Sequence, residues 1–386
     1  MRKSHIAGGG DEILIILNFK NIPDFLWLYY KKYSYICTQY DLPRFPLEQR
    51  TRGGLRVFIR MEYSKKPLSL SDQIDKLTTR GLVIDDRELT KRYLSNISYY
   101  RLRAYTYPFQ NNEEGDDHEF IRKDIHFSDI IDLYCFDRRL RTLIFNAIEK
   151  IEVAVRTKIV QIYSEATGDS NWYENESLFK DDSFWVNEKD EATGRIEKKE
   201  VFQYDVLMDD IASEVKRSNE DFIKHFYRKY SEPKNPPAWM TLEVISFGTL
   251  SRLFELLKKS SMKDQIAKEF GLPDDRILAN WLHAIAVIRN CCAHHSRIWN
   301  RRYIVSVKLP YNTTYPFIDR DTIKLIRSNK LFAVLSCIKY FSDIISPGSD
   351  LKRNFLFLLG DGGQLLSMKE MGFPTNWKYL DVWKDK

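Results

Sequence analysis

Cysteine is scarce: Cys37, Cys135, Cys291, Cys292 and Cys337 are the only five in 386 residues. An odd number whose only close pair is adjacent in sequence excludes a disulfide framework and suits a reducing compartment. Gly (16) and Pro (13) are too few for a collagen-like or low-complexity chain. No apolar run approaches the roughly 20 residues of a membrane span. The stretch Ile13–Leu17 follows Asp11 and Glu12 and is soon interrupted by Lys20 and Asp24, so a signal peptide is excluded as well. A cytoplasmic protein with no membrane partner is expected. Period-two alternation and internal repeats are also missing, which leaves little basis for a sheet.

What is present is an ordinary globular composition, 43% hydrophobic, 14% aromatic and 30% charged, with a net charge of +6. Such a charge invites a polyanionic partner. Its location weakens that inference, because residues 1–60 hold ten Lys/Arg against five Asp/Glu and so carry five of the six net charges. The same segment has Gly8–Gly10, Pro23, Pro43, Pro46, Gly53 and Gly54 and no sustained helical period. It reads as a poorly structured extension, and Met61, directly ahead of the first regular patterning, is a candidate start of the native chain.

The remainder divides by pattern into a helical segment over 61–125, a helical core over 126–345, and a last helix with an aromatic tail over 346–386. Ser69 or Ser71 caps a first helix carrying Ile74 and Leu77, and Asp85 or Asp86 opens a second that runs on into Tyr99–Tyr105. Ser128 caps a long helix from Asp129 to about Tyr163, whose apolar positions Leu133, Leu140, Ile144, Ile148, Ile151, Val155, Ile159 and Ile162 keep the 3.6-residue period. Residues 164–200 form a polar insertion with aromatic patches at Trp172-Tyr173 and Phe184-Trp185. Helices resume over about Gln203–Tyr230, Trp239–Lys259, Pro273 onward, Thr322–Ile345 and Asp350–Leu359. The fold class is all-α.

Two charged features of these helices are candidates for a site. Arg138, Glu149, Glu152 and Arg156 share one stripe of the long helix, with Glu152 and Arg156 in the favourable i, i+4 order. They form either a solvated face or a charged wall beside a site. Glu243 shares a stripe with Trp239, Phe247, Leu250 and Phe254, where a carboxylate needs a cationic partner, and Arg289 is the candidate. The aromatic and arginine residues of 93–107, including Tyr100, Arg101 and Arg103, suit either RNA stacking or core packing.

The densest reactive cluster runs from Arg289 through Asn290, Cys291, Cys292, Ala293, His294, His295, Ser296 and Arg297 to Arg301 and Arg302. It is a poor metal site, since adjacent ligands diverge on a helix and no second pair closes a tetrahedron. Cys291 with His295 at i+4 is a weak thiol-base pair, because buried structural cysteine is the commoner case. The remaining chemistry is Arg with His. Metal-free RNA cleavage needs a base for the 2′-hydroxyl, an acid for the leaving 5′-oxygen and positive charge on the pentavalent transition state; histidine and guanidinium supply these. Spacing alone is weak evidence: with 28 Arg and 7 His an Arg followed by His after a gap of four to six residues arises by chance about once or twice, and Arg276 with His283 has that spacing.

The full string from Arg289 to Arg302 carries more. Together with Pro67–Leu82, Leu94–Leu102, Asp129–Arg141, Ile148–Arg156, Pro237–Leu250, Trp281-Leu282-His283 and Met371–Trp377, it resembles the Abi-like abortive infection proteins of the AbiD/AbiF type. That resemblance extends from about 65 to 380, leaves 1–60 unmatched, and departs at Ala104, where the family has Gly in a turn. It implies a HEPN-type ribonuclease domain with an R-N-x-x-x-H motif, placed here on Arg289, Asn290 and His294, with His295 as an alternative at the next spacing. Glu243, Glu152, Arg156 and His283 are its supporting candidates. On a straight helix Arg289 and His294 point about 140° apart, so either the helix ends near Ala293 or a second copy completes the site. The resemblance implies two facing motifs and hence a homodimer.

Two functions follow. One is a metal-independent, cofactor-free endoribonuclease acting as a toxin in anti-phage defence. The other is a non-catalytic module of the same fold that holds a small RNA through the 93–107 segment and Arg297, Arg301 and Arg302. The RNA target, the phage trigger and any antitoxin are not legible from sequence.

Overall fold

The computed structural model describes residues 65–113, 117–189 and 195–384, and the backbone of 49–50 and 56–57, which pair as two short antiparallel strands, β1 and β2. The expected loose extension otherwise lies outside the described residues.

Helix α1 (Leu70–Thr79) starts where Ser69 and Asp72 can cap one another, with Ser69 Oγ accepting from Asp72 N–H and Asp72 Oδ2 accepting from Ser69 N–H, both at 3.2 Å. Asp86 caps α2 (Arg87–Ile97). The second predicted helix does not run through to Tyr105: Ser98 takes φ 68° and its hydroxyl caps a separate helix, α3 (Tyr99–Thr106). A serine offering its side chain to the backbone favours a break over continuation. Ala104, expected in a turn, lies inside α3.

The long helix α4 (Phe127–Thr167) is the scaffold. His126 N–H donates to Asp129 Oδ2 at 2.8 Å, so the start lies at His126 and not at Ser128, and Gly168 ends the helix at φ 64°. Ile144, Ile148, Ile151, Val155 and Ile159 are at most 1% exposed. Each such side chain contributes about 1.5–3 kcal/mol through burial, which explains why α4 packs against α3 and six later helices: α7 (Ala238–Val244), α8 (Phe247–Leu256), α9 (Ser261–Glu269), α10 (Asp275–Ala293), α12 (Leu331–Ile345) and α13 (Leu351–Gly360).

Four expectations need correction. The insertion over 164–200 is not uniformly loose, because Trp172 and Tyr173 are buried and the Phe179 backbone pairs with that of Leu257. Its second half forms an antiparallel hairpin, β3 (Ser183–Lys189) with β4 (Ile196–Phe202), that leaves Trp185 and Ile196 exposed. Lacking a buried face, these strands show no clean alternation. The helix expected over Trp239–Lys259 is broken at Ile245-Ser246, where Ser246 caps α8, and Trp239 is exposed. The span Gln203–Tyr230 likewise divides into α5 (Gln203–Arg217) and α6 (Asp221–Lys229), while Thr322–Ile345 divides into α11 (Arg320–Ile323) and α12. Helix α9 had no sequence counterpart.

The aromatic tail completes the core. Trp377 and Trp383 pack with Phe332, Phe355 and Phe373 at centroid separations of 4.7–6.4 Å. The all-α class holds apart from these two small strand pairs. Among the described residues no helix is long and apolar enough to cross a membrane.

Candidate functional site

Helix α10 starts at Asp274, whose side chain accepts from Arg276 and Ile277 N–H, and carries Arg289 and Asn290 near its C-terminal end. It ends at Ala293, one of the two arrangements the sequence left open. His294 is the C-cap at φ −90° and ψ 12°, a sparsely populated region in which many active-site residues sit. His295 follows at φ 57°. Ser296 N–H donates to Cys291 O at 2.8 Å and His295 N–H to Cys292 O at 3.1 Å, the paired bonds of a Schellman motif with histidine in the place usually held by glycine. Both imidazoles are thereby carried clear of the helix and are exposed.

Two anchors hold the ends of this segment, both on α4. At the first, Glu152 Oε1 accepts from Arg156 Nη2 at 3.0 Å while its Oε2 lies 3.8 Å from Arg289 Nε. Arg156 Nη2 also donates to Ile245 O at 3.0 Å, and the Arg289 guanidinium lies over the Phe145 ring at 5.6 Å. Glu152 and Arg156 have side chains only 16% and 9% exposed. The predicted stripe is therefore part wall and part surface: these two line the site, while Arg138 and Glu149 are solvent-exposed. The carboxylate paired with Arg289 is Glu152 and not Glu243, which lies in α7 just ahead of the break, is exposed and has no desolvation to offset.

The second anchor lies beneath the turn. Asp137, fully buried, accepts from Arg141 Nη1 at 2.6 Å, Tyr105 Oη at 2.7 Å, Trp299 N–H at 2.8 Å and Ile298 N–H at 3.2 Å. Arg141 Nη1 also reaches Ser296 O at 3.3 Å. Burial pushes the Asp137 carboxyl above the usual range, and the Arg141 guanidinium and the three other donors oppose that shift. From α3, Arg101 Nη1 donates to His295 O at 2.9 Å and Ala104 O accepts from Arg297 Nη1.

Sequence reasoning missed Asp137, Arg141 and Tyr105. The signal was available: Asp137 and Arg141 are an i, i+4 ion pair on a stripe otherwise occupied by Leu133, Leu140, Ile144 and Ile148. Arg101 was named, but as an RNA contact; it supports the histidine turn. Of the other residues assigned to RNA, Arg103 bonds His118 Nε2 at 3.2 Å and lies over Tyr107. Arg297 is committed to Ala104, while Tyr100 is 69% exposed and Arg302 is exposed. His283 is half-buried on α10. Eleven positions at about 1.5 Å each set it roughly 16 Å along the helix axis from His294, so it does not join this cluster.

The arrangement can offer imidazole for proton transfer and a guanidinium for an anion. It does not suit thiol chemistry: Cys291 and Cys292 are buried, and burial, then Cys291, pushes the Cys292 thiol well above its usual range. Among the described residues no group of His, Cys, Asp and Glu could hold a metal ion.

The Abi-like protein family model matches residues 92–300, more than half of the chain. The match takes in α3, both anchors and the Arg289–His295 segment, and stops short of Pro67–Leu82 and Met371–Trp377. No curated protein and no solved structure matches. On the extent of that match, the chain belongs to the Abi-like protein family.

Proposed function

We propose that this Abi-like protein serves abortive infection, a defence against phage, as a metal-independent endoribonuclease with a HEPN-type site on Arg289, Asn290 and His294. The observation that carries the reading is the ending of α10: an Arg-Asn pair near the helix end, then an exposed histidine in a turn fixed from below by Asp137 and from the side by Arg101. Fixing the backbone on both sides of an acid or base keeps it in reach of its proton, which is where positional catalysis gains its advantage.

The chemistry follows from those groups. The ribose 2′-oxygen attacks phosphorus as its proton passes to an imidazole, the P–O5′ bond breaks, and the departing 5′-oxygen takes a proton from a second imidazole, leaving a 2′,3′-cyclic phosphate. Each proton transfer is worth about 10²–10⁴ in rate. Arg289 offsets the charge that builds on the non-bridging oxygens, with Glu152 fixing its direction, and Asn290 orients substrate or His294. One chain brings one Arg-Asn pair and one His294, whereas the reaction needs base and acid together. A homodimer with the two α10 ends facing each other supplies both, and His295 is the alternative second imidazole.

Purified protein incubated with RNA in EDTA tests this reading. Cleavage with 2′,3′-cyclic phosphate ends, abolished in His294→Ala, is the expected result; unchanged cleavage in that variant overturns the assignment. The exposed Tyr100 beside Arg101 favours a second reading, a non-catalytic RNA-holding module, for which the same experiment gives binding without cleavage.

A further inference from the structure

Between Asp275 and Asp319 the chain has no acidic residue, yet it carries Arg276, Arg289, Arg297, Arg301, Arg302 and Lys308. The fold then brings a second basic segment against the same stretch. Tyr303 N–H donates to Asn329 O at 2.8 Å, Val307 N–H to Ser328 O at 2.9 Å, and Lys330 Nζ to Asn300 O at 3.0 Å. Lys330 N–H closes a turn on Arg327 O at 3.0 Å, which places Arg327 alongside 300–303.

Two of these cations serve the fold. Arg297 is bonded to Ala104 O, and Lys330 is 4% exposed, bonded to Asn300 and 3.8 Å from Glu370. Arg302 and Arg327 are different: both are exposed, and neither forms an ion pair among the described residues. They are near enough to act on Lys330, whose ammonium is lowered first by burial and then, against Glu370, by Arg302, Arg327 and Arg297. Gathering cations around one carboxylate raises the energy of the folded chain unless an anion shares the surface.

We propose that Arg302 and Arg327 form an anchoring site for the phosphate backbone of single-stranded RNA, beyond the His294 turn. The nature of the polyanion rests on the ribonuclease reading above. Guanidinium suits the task because its planar fork meets phosphate oxygens in pairs. Contacts of this kind set the position of a strand and carry no sequence information, so the site fixes where RNA lies and not which RNA is chosen. Arg302 follows His294 along one continuous segment, so a strand held at Arg302 and Arg327 is led to the histidine turn.

The experiment uses the full chain carrying His294→Ala, so that bound RNA is not consumed, with a fluorescein-labelled oligouridine whose affinity is followed by anisotropy across a salt series. Arg302→Gln and Arg327→Gln are each expected to reduce the slope of log affinity against log salt by about 0.7, the loss of one phosphate contact to a single strand. Arg302→Lys and Arg327→Lys are expected to keep it. Slopes unchanged in both glutamine variants, or a parent that binds no RNA, overturn the proposal. The two readings fail separately: reduced slopes in a protein that cuts no RNA with His294 intact keep the anchoring site and remove the nuclease, while cleavage with unchanged slopes does the reverse.

Discussion

Replacing Asp137 by alanine removes an acceptor that four donors share, at a position with no exposed surface. Arg141 keeps only Tyr105 Oη and Ser296 O for a guanidinium that is 6% exposed, and the Ile298 and Trp299 amides lose their partner. Breaking a buried ion pair from one side costs about 3–5 kcal/mol, a large share of the roughly 5–15 kcal/mol that stabilises a folded domain. Removing the second charge as well, in Asp137→Ala/Arg141→Met, eliminates the stranded cation but leaves the two amides and the buried Tyr105 hydroxyl, each worth about 1–3 kcal/mol when unpaired. The double variant should therefore be more stable than the single one by about 2 kcal/mol and still less stable than the parent. Urea unfolding followed by circular dichroism, with midpoint and slope fitted separately, measures all three proteins. A single variant that loses less than about 1 kcal/mol, or a double variant no more stable than the single, refutes the assignment of Asp137–Arg141 as the support beneath the histidine turn.

Four further outcomes are expected. His295→Gly relieves a left-handed residue at the C′ position of α10 and should raise stability by about 0.5–1 kcal/mol, with RNA cleavage retained if His294 is the working imidazole; lost cleavage assigns that role to His295. Glu152→Gln removes the charge that fixes Arg289 while keeping the side-chain shape, and single-turnover cleavage should slow roughly tenfold, about 1.4 kcal/mol of transition-state stabilisation. In an NMR titration His126 should deprotonate above the usual histidine value, since Asp85 Oδ2 at 2.7 Å favours its charged form, and Asp85→Asn should bring it back. His118 should titrate below that value, because burial and then Arg103 and Arg80 disfavour its charge. The two signs differ: His126 adds stability at low pH that is lost as pH rises through its raised value, whereas His118 costs stability as pH falls below the ordinary histidine range.

The sequence made the scaffold legible wherever a single period ran long enough. The apolar positions of α4 repeat through about eight turns, and Asp274 and Ser69 mark helix starts by their own chemistry. Breaks within apolar stretches were not legible, because Ser98 and Ser246 act by capping a following helix, and a serine between two apolar runs looks the same whether it caps or is merely carried along. The hairpin β3–β4 escaped because alternation reports a buried face, which this hairpin lacks. At the site, the Arg289–His294 block was visible from residue types alone. Its supports were not, since Asp137 meets Ile298 and Trp299, and Arg101 meets His295, only after the chain has closed over more than 150 positions.

Both supports of the site stand on one helix, and that has a consequence for which sequence changes the family can accept. Asp137 and Glu152 are fifteen positions apart, about 22 Å along the axis of α4, with Asp137 under the histidine turn and Glu152 beside Arg289. A substitution between Arg141 and Glu152 leaves this spacing intact. One inserted or deleted residue there slides one support by about 1.5 Å and swings it through about 100°, turning either Glu152 from Arg289 or Asp137 from Ile298 and Trp299. The interval 141–152 behaves as a gauge of fixed length, free to vary in composition at exposed positions such as Thr142 and Asn146 and closed to changes in number.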